Sequence, residues 1–195
     1  QGTKTVDGTP IDKFLEDFGK GTQEKSGYFS DGVTMYYGND VLDTDGYPTG
    51  LLLKYVMHRR FTGVDLSRFA GDWTSSCITD GSNTSHISRA TISLVGSQSL
   101  SVYSRTYNFA GATCEGSNTT STTTQTMVYT GTATVGGSEV TRFTDETSGL
   151  WRMILQVGND GTVLRGNGKT LTRPTLNDEY PTTLDATVLK RVVLN

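Results

Sequence analysis

Short runs of strand-forming residues recur at regular spacing through the last two thirds of this chain, and they constrain its fold more than any other feature. Turn signals separate the runs, among them Gly96-Ser97, Gly136-Gly137 and Asn159-Asp160-Gly161. Alternation is clearest from Trp151 to Val157, where every second residue is apolar. The runs predict strands at about 72–79, 86–95, 99–109, 124–135, 138–144, 150–157, 161–166 and 187–194.

Eight short antiparallel strands in about 130 residues have the size of a closed barrel, and closure removes the edges of a sheet. A sandwich of two sheets is the alternative that the same pattern allows. Composition agrees with both, because the chain of 195 residues has 23 glycines, only 4 prolines and a heavy load of serine and threonine. We therefore predict a mainly β, antiparallel fold with an eight-stranded barrel at residues 64–195.

Part of the chain resembles another part of it at a nearly constant offset. The stretch that opens with Asp31-Gly32 recurs 129 positions later at Asp160-Gly161. A Tyr-Pro-Thr sequence follows each copy, at Tyr47 and at Tyr180. Chance similarity between two hairpins is the alternative explanation. The repeat predicts that the N-terminal part of the chain is the back half of one unit and that a complete second unit follows it.

The segment from Pro10 to Phe18 is compatible with either a short helix or a strand. Its apolar residues share one face at helical spacing. The alignment of Ile11–Phe14 with Val140–Phe143 at the offset of 129 favours a strand instead.

Residues 1–63 are therefore predicted to be a partial repeat unit of β-hairpins that precedes the barrel. A lone hairpin is marginally stable in water, so its apolar face must be buried on the barrel or on a neighbouring subunit. We expect the neighbour, because a closed barrel offers no free edge. The apolar residues expected on that face are Val33, Met35 and Tyr37 on one strand and Leu51, Leu53, Tyr55 and Met57 on another.

The stretch from Asp65 to Trp73, Asp-Leu-Ser-Arg-Phe-Ala-Gly-Asp-Trp, resembles the Gly-x-Trp opening of lipocalins and other calycins. In that family a short helical turn leads into the first strand, and the Trp plugs the closed end of an eight-stranded barrel. A basic residue of the last strand usually covers the Trp. The resemblance implies that Trp73 is buried and is contacted by Lys190 or Arg191.

The same stretch is also similar to tandem repeats of large secreted bacterial proteins, in which a Gly-x-Trp-x-x-x-Cys opening pairs with a later Cys. Gly71 to Cys77, then Cys114, then Tyr180-Pro181-Thr182 follow that order. Calycin barrels commonly hold a small apolar ligand, which implies a site inside the barrel. Core packing of the same side chains is the alternative. The residues that would line such a site are Trp73, Met127, Tyr129, Trp151, Met153 and Leu155.

The chain has two cysteines, Cys77 and Cys114, and it is acidic and rich in serine and threonine. An even number of cysteines can pair without leaving a free thiol. This composition is typical of an oxidising compartment and predicts a disulfide between them. Two buried free thiols are the alternative. An extracellular or cell-surface location follows from the disulfide prediction.

Charge and motifs argue against several classes of function. The net charge is -3, and Arg59-Arg60 is the longest basic run, so the chain has no basic footprint for nucleic acid. No apolar run approaches the roughly 20 residues of a membrane span. An acidic turn offers Asp40, Asp43 and Asp45 as candidate calcium ligands, although Val41 stands where an oxygen ligand is needed.

The sequence contains no recognisable constellation of nucleophile and base, so we predict no enzyme activity and no cofactor. The favoured hypothesis is a non-enzymatic extracellular structural or adhesive module, such as a subunit of a repeat array or filament. Residues 1–63 would then mediate self-association or contact another cell-surface protein, since unpaired sheet edges invite completion by another chain. The alternative hypothesis is a lipocalin-like binder of a small apolar ligand.

Overall fold

The computed structural model describes residues 2–17, 23–81, 83–175 and 179–193, except for the side chains of Asp17 and Tyr55. A single-turn 3-10 helix at Ser67–Phe69 separates two groups of strands. The first group is β1 (Thr3–Val6), β2 (Thr9–Asp17), β3 (Gln23–Ser30), β4 (Thr34–Gly38) and β5 (Leu51–His58). The second group is β6 (Gly71–Ser75), β7 (Ile78–Asp80), β8 (Thr84–Leu94), β9 (Ser99–Phe109), β10 (Asn118–Val135), β11 (Ser138–Asp145), β12 (Trp151–Val157), β13 (Val163–Thr170) and β14 (Leu189–Arg191).

Eight strands of the second group close into a ring, which we call the barrel. Its order is β6-β14-β13-β12-β11-β10-β9-β8, and β8 pairs again with β6. Trp73 in β6 lies at the closure, because it pairs with Arg191 of β14 on one side and with Ala90 of β8 on the other. Strand β7 pairs with β8 beside the ring. The mainly β, antiparallel prediction is confirmed, and the ring is compatible with a barrel-like fold.

The predicted strands of the barrel match the observed ones with four differences. The first predicted strand is divided between β6 and β7, with Ser76-Cys77 outside both ladders. Strand β13 continues to Thr170, beyond the predicted end at 166. Strand β10 begins at Asn118 rather than at 124, because residues 118–123 also pair with β9, Asn118 with Phe109 among them, and Thr favours strands. Strand β14 is shorter than predicted, and Leu194 lies outside the described residues.

Strands β1 to β5 form a second antiparallel sheet, which we call the N-terminal sheet. One of its faces buries Val6, Ile11, Phe29 and Tyr36, each at most 3% exposed. Strand β2 shows that the strand interpretation of the segment after Pro10 is correct, and Phe18 lies outside the described residues.

The N-terminal sheet does not bury the face that alternation predicted. Thr34 and Tyr36 are buried, so Met35 and Tyr37 lie on the opposite face of β4. The β4–β5 ladder shifts between Met35 and Tyr37, which divides the β5 residues between the two faces. The reason is that Met35-Tyr36-Tyr37 is apolar on both faces, and alternation alone does not say which face is covered.

A buried ion pair joins the N-terminal sheet to the barrel. The Arg152 guanidinium of β12 donates to the Asp31 carboxylate at 2.5 Å, and the two side chains are 3% and 6% exposed. Asp31 also shapes the β3–β4 turn, because its carboxylate accepts the N–H groups of Val33 and Thr34. Further contacts run from Thr9 to the Pro174 carbonyl at 3.1 Å and from Arg173 to the Asp7 carbonyl at 2.9 Å. The buried face of the sheet is therefore held by its own chain.

The strand pairing of the N-terminal sheet recurs in the second half of the barrel. Thr3 pairs with Asp12 and Val6 with Thr9 in β1 and β2, and the positions 129 later pair in the same way in β10 and β11. Both hairpins turn through two residues with positive φ, at Asp7-Gly8 and at Gly136-Gly137, as type I′ turns require.

The next ladders and a ring contact recur as well. Pairing of β3 with β4 through Tyr28 and Tyr37 corresponds to pairing of β12 with β13 through Leu155 and Gly166. In the N-terminal sheet the Lys13 ammonium lies 4.0 Å from the centre of the Tyr47 ring. At the matching place in the barrel, the Arg142 guanidinium lies 4.8 Å from the Tyr180 ring.

Candidate functional site

The six residues predicted to line a ligand site come together in the interior of the barrel. Trp73, Met127 and Leu155 belong to the buried core cluster, and Met127 has no exposed surface. The remaining three, Tyr129, Trp151 and Met153, pack against that cluster. Their mutual packing agrees with the core alternative, and binding of an apolar ligand stays a prediction.

Trp73 occupies the position that the calycin resemblance implies. Its side chain is 1% exposed, and its indole N–H donates to the Phe69 carbonyl at 2.9 Å. The Arg191 guanidinium lies 4.3 Å from the ring centre, so the basic residue over the ring is Arg191. Arg191 is fixed there because it donates to the carbonyls of Ala70 and Arg68.

Cys77 and Cys114 form a disulfide, as predicted, with their Cα atoms 5.8 Å apart. The bond links the segment after β6 to the loop between β9 and β10. The disulfide thereby connects the end of the long strands β8, β9 and β10 to the segment that follows β6, the strand at which the barrel closes.

The three acidic residues considered as calcium ligands are not arranged as a cluster. Asp43 forms an ion pair with Lys4 of β1, and its carboxylate accepts the N–H groups of Asp45 and Tyr47. These contacts, the Lys4 hydrogen bond first, lower the pKa of Asp43 to about 2. Among the described residues, no group of three or more His, Cys, Asp or Glu is arranged to hold a metal ion.

The candidate functional site is the outer face of the N-terminal sheet, where an aromatic stripe crosses the strands. Phe14 of β2 packs edge-on against Tyr28 of β3, with ring centres 5.2 Å apart. Tyr28 packs in the same way against Tyr37 of β4 at 5.1 Å. The Tyr37 hydroxyl then donates to the Met57 sulfur of β5 at 3.2 Å. We call Phe14, Tyr28, Tyr37 and Met57 the aromatic stripe.

The aromatic stripe is open to solvent although its residues are large and apolar. Phe14 is 45% exposed and Met57 is 47% exposed. A groove of about 410 Å³ follows the stripe, and Met35 contributes to its wall. A further polar contact on this face is made by the Tyr28 hydroxyl, which donates to the Glu16 carboxylate. Burial, followed by this hydrogen bond, raises the pKa of Tyr28.

Strand β5 adds a free edge to the exposed face, because its described pairing is with β4 alone. The backbone at this edge matches that of β14 in the barrel. The N–H of Arg59 donates to the Val33 carbonyl, as the N–H of Arg191 donates to the Thr162 carbonyl. In the barrel the other side of β14 receives β6, which carries Trp73.

Sequence reasoning identified part of this site. Met35, Tyr37 and Met57 were expected on one face, which they share, but Leu51 and Leu53 pack against the buried cluster of the opposite face. Phe14 and Tyr28 were not assigned to the face. The available signal was the match of Phe14 to Phe143, which is a core residue of the barrel.

Comparisons with protein-family models, with curated proteins and with solved structures find no match. In the described part of the chain, no helix has the length and apolar character needed to cross a membrane.

Proposed function

We propose that this protein is a non-enzymatic, extracellular structural module that assembles with other copies through its N-terminal sheet. One observation carries the proposal: the exposed face of this sheet corresponds to the face that lines the interior of the barrel. Phe14 matches Phe143, Met35 matches Leu164 and Tyr28 matches Leu155, and all three barrel residues are in the core.

The correspondence supports the repeat hypothesis. Strands β1 to β5 have the turn, the ladders and the ring contact of the barrel from the end of β10 to β14. They do not have counterparts of β6, β8 and β9, which cover the same face inside the barrel. This pattern supports the interpretation of the N-terminal sheet as the back half of a lipocalin-like unit, as in the tandem repeats that the sequence resembles.

A second copy of the chain is the proposed partner of this open half-unit. Exposed large apolar side chains that form one contiguous patch are typical of interaction surfaces. Two copies of the same sheet can bury their stripes against each other in an isologous contact, and the unpaired β5 edge can add backbone hydrogen bonds. The disulfide supports an extracellular location, because disulfides form and persist in oxidising compartments.

Sedimentation velocity over a wide range of protein concentration tests the proposal. We expect the native chain to self-associate and Phe14→Glu to remain monomeric, because the added charge cannot be buried in an apolar contact. Val95→Glu is the matched control, since Val95 is 56% exposed and lies in the β8–β9 turn of the barrel. A native chain that is monomeric throughout, or a control that dissociates equally, would overturn the proposal.

A further inference from the structure

A groove of about 540 Å³ lies on the outer wall of the barrel, away from the aromatic stripe. Strands β8 and β9 form its floor, and Arg89 and Arg105 stand directly opposite each other in their ladder. Side chains at such positions have Cβ atoms about 5 Å apart, and like charges there are destabilising. An anion between the two guanidinium groups would remove that repulsion.

Tyrosine side chains, rather than carboxylates, contact both arginines. Arg105 donates to the Tyr103 hydroxyl at 2.7 Å and to the Tyr107 hydroxyl at 3.1 Å. The Arg89 guanidinium lies 5.2 Å from the Tyr107 ring centre, so this ring contacts both cations. None of the ion pairs found among the described residues includes Arg89 or Arg105.

The remainder of the groove is rich in hydroxyl groups. Thr74 and Thr91 line it beside the two tyrosines. Among the described residues that line the groove, Asp72 supplies the carboxylate, which accepts the Thr91 hydroxyl at 2.6 Å. Across β9, three threonines of β10 pair with Tyr103, Arg105 and Tyr107 and extend the hydroxyl surface: Thr124, Thr122 and Thr120.

We propose that this groove binds an acidic carbohydrate, with its carboxylate or sulfate group between Arg89 and Arg105. Guanidinium groups form charge-assisted hydrogen bonds with such anions, while threonine hydroxyls and Asp72 suit the hydroxyl groups of the sugar. The volume is within the range of small-ligand sites. The net charge of -3 argues against nucleic acid as the source of the anion. The site is independent of the self-association proposed above.

Isothermal titration of the full chain tests the proposal with four probes of similar length: a heparin hexasaccharide, hexagalacturonate, maltohexaose and hexaglutamate. Binding of heparin alone identifies sulfate as the recognised group, and binding of both acidic sugars shows that a carboxylate suffices. Either result supports the proposal, provided that affinity falls with added salt and that maltohexaose and hexaglutamate bind at least 10-fold more weakly. Failure of both acidic sugars at millimolar concentration, or equal binding of hexaglutamate, overturns it.

Variants locate the binding site. Arg89→Gln and Arg105→Gln should each weaken binding of the acidic sugar at least 10-fold. Arg165→Gln makes the same change of charge at an exposed position of β13 and should leave affinity unchanged. If Arg105→Gln lowers the melting temperature because its hydrogen bonds are lost, the result for Arg89→Gln decides the test. Unchanged affinity in a folded Arg89→Gln protein would contradict the proposal.

Discussion

Trp73 joins three parts of the barrel through a single side chain. It lies in β6, donates to the 3-10 turn at Phe69 and is covered by Arg191 of β14. Arg191 in turn donates to the Gly161 carbonyl in the turn between β12 and β13. The barrel therefore closes around one ring and one cation, and the stability of the closure depends on both.

Replacing Trp73 by Ala should lower the free energy of unfolding by about 3–5 kcal/mol, since a large aromatic residue would be removed from a packed core. Arg191→Met should cost about 2 kcal/mol, because the cation–π contact and charged hydrogen bonds are lost while the aliphatic volume is kept. Urea unfolding measures both values. A change below 1 kcal/mol for Trp73→Ala would show that the ring does not close the barrel.

Asp43 should titrate at a pH well below its ordinary pKa of 3.8, near 2, because Lys4 and two backbone N–H groups stabilise the carboxylate. Since the pKa is lowered in the folded state, this contribution to stability is complete above pH 4 and is lost as the pH falls through about 2. Carboxyl NMR of the native protein measures the value. Lys4→Met should raise it toward 3.8, and an unchanged pKa in that variant would contradict the assignment.

Among the secondary structure elements, the β3–β4 turn and β12 depend on each other through Asp31 and Arg152. Asp31 organises its own turn and also neutralises the only charge that β12 buries among its described side chains. A buried pair of this kind is costly to break, because removing one partner leaves an uncompensated charge.

Asp31→Asn and Arg152→Met should each destabilise the protein by about 3–5 kcal/mol, whereas the double variant should lose less than the sum. A double-mutant cycle by urea unfolding measures the coupling. Lys169→Met is the control, because its ion pair with Glu179 is exposed and should be worth less than about 1 kcal/mol. Additive effects at Asp31 and Arg152 would show that the pair does not couple the two elements.

At the scale of the whole molecule, the N-terminal sheet and the barrel have separate strand ladders and are joined by side-chain contacts. Phe61, which follows the sheet, packs edge-on against Tyr129 of the barrel at 5.1 Å. The Gln98 side chain also bonds the backbone of the same segment. The barrel ladders, by contrast, involve no residue of the sheet.

Deleting residues 1–63 should therefore leave a folded, monomeric barrel that has a lower melting temperature, since Arg152 loses its partner. Circular dichroism tests the fold and the melting temperature, and sedimentation tests the monomeric state. Loss of the β signal on deletion would show that the barrel cannot fold without the sheet.

The sequence by itself determined most of the strands and the disulfide partners, because alternation and turn residues define strands and two cysteines allow one intramolecular pairing. The resemblance to calycins implied a basic residue beside Trp73 and left Lys190 and Arg191 as the two candidates. The recurrence of Asp31-Gly32 at Asp160-Gly161 likewise depends on local sequence alone.

The tertiary structure decided which faces are covered. Strand β4 is apolar on both sides, so only the Asp31–Arg152 contact and the packing of Tyr36 show which side meets the barrel. The threonines of β10 have no apolar pattern and become a strand because β9 pairs with them. The sequence also did not reveal the Arg89–Arg105 pair, because the two residues are 16 positions apart and face each other only through the register of β8 and β9.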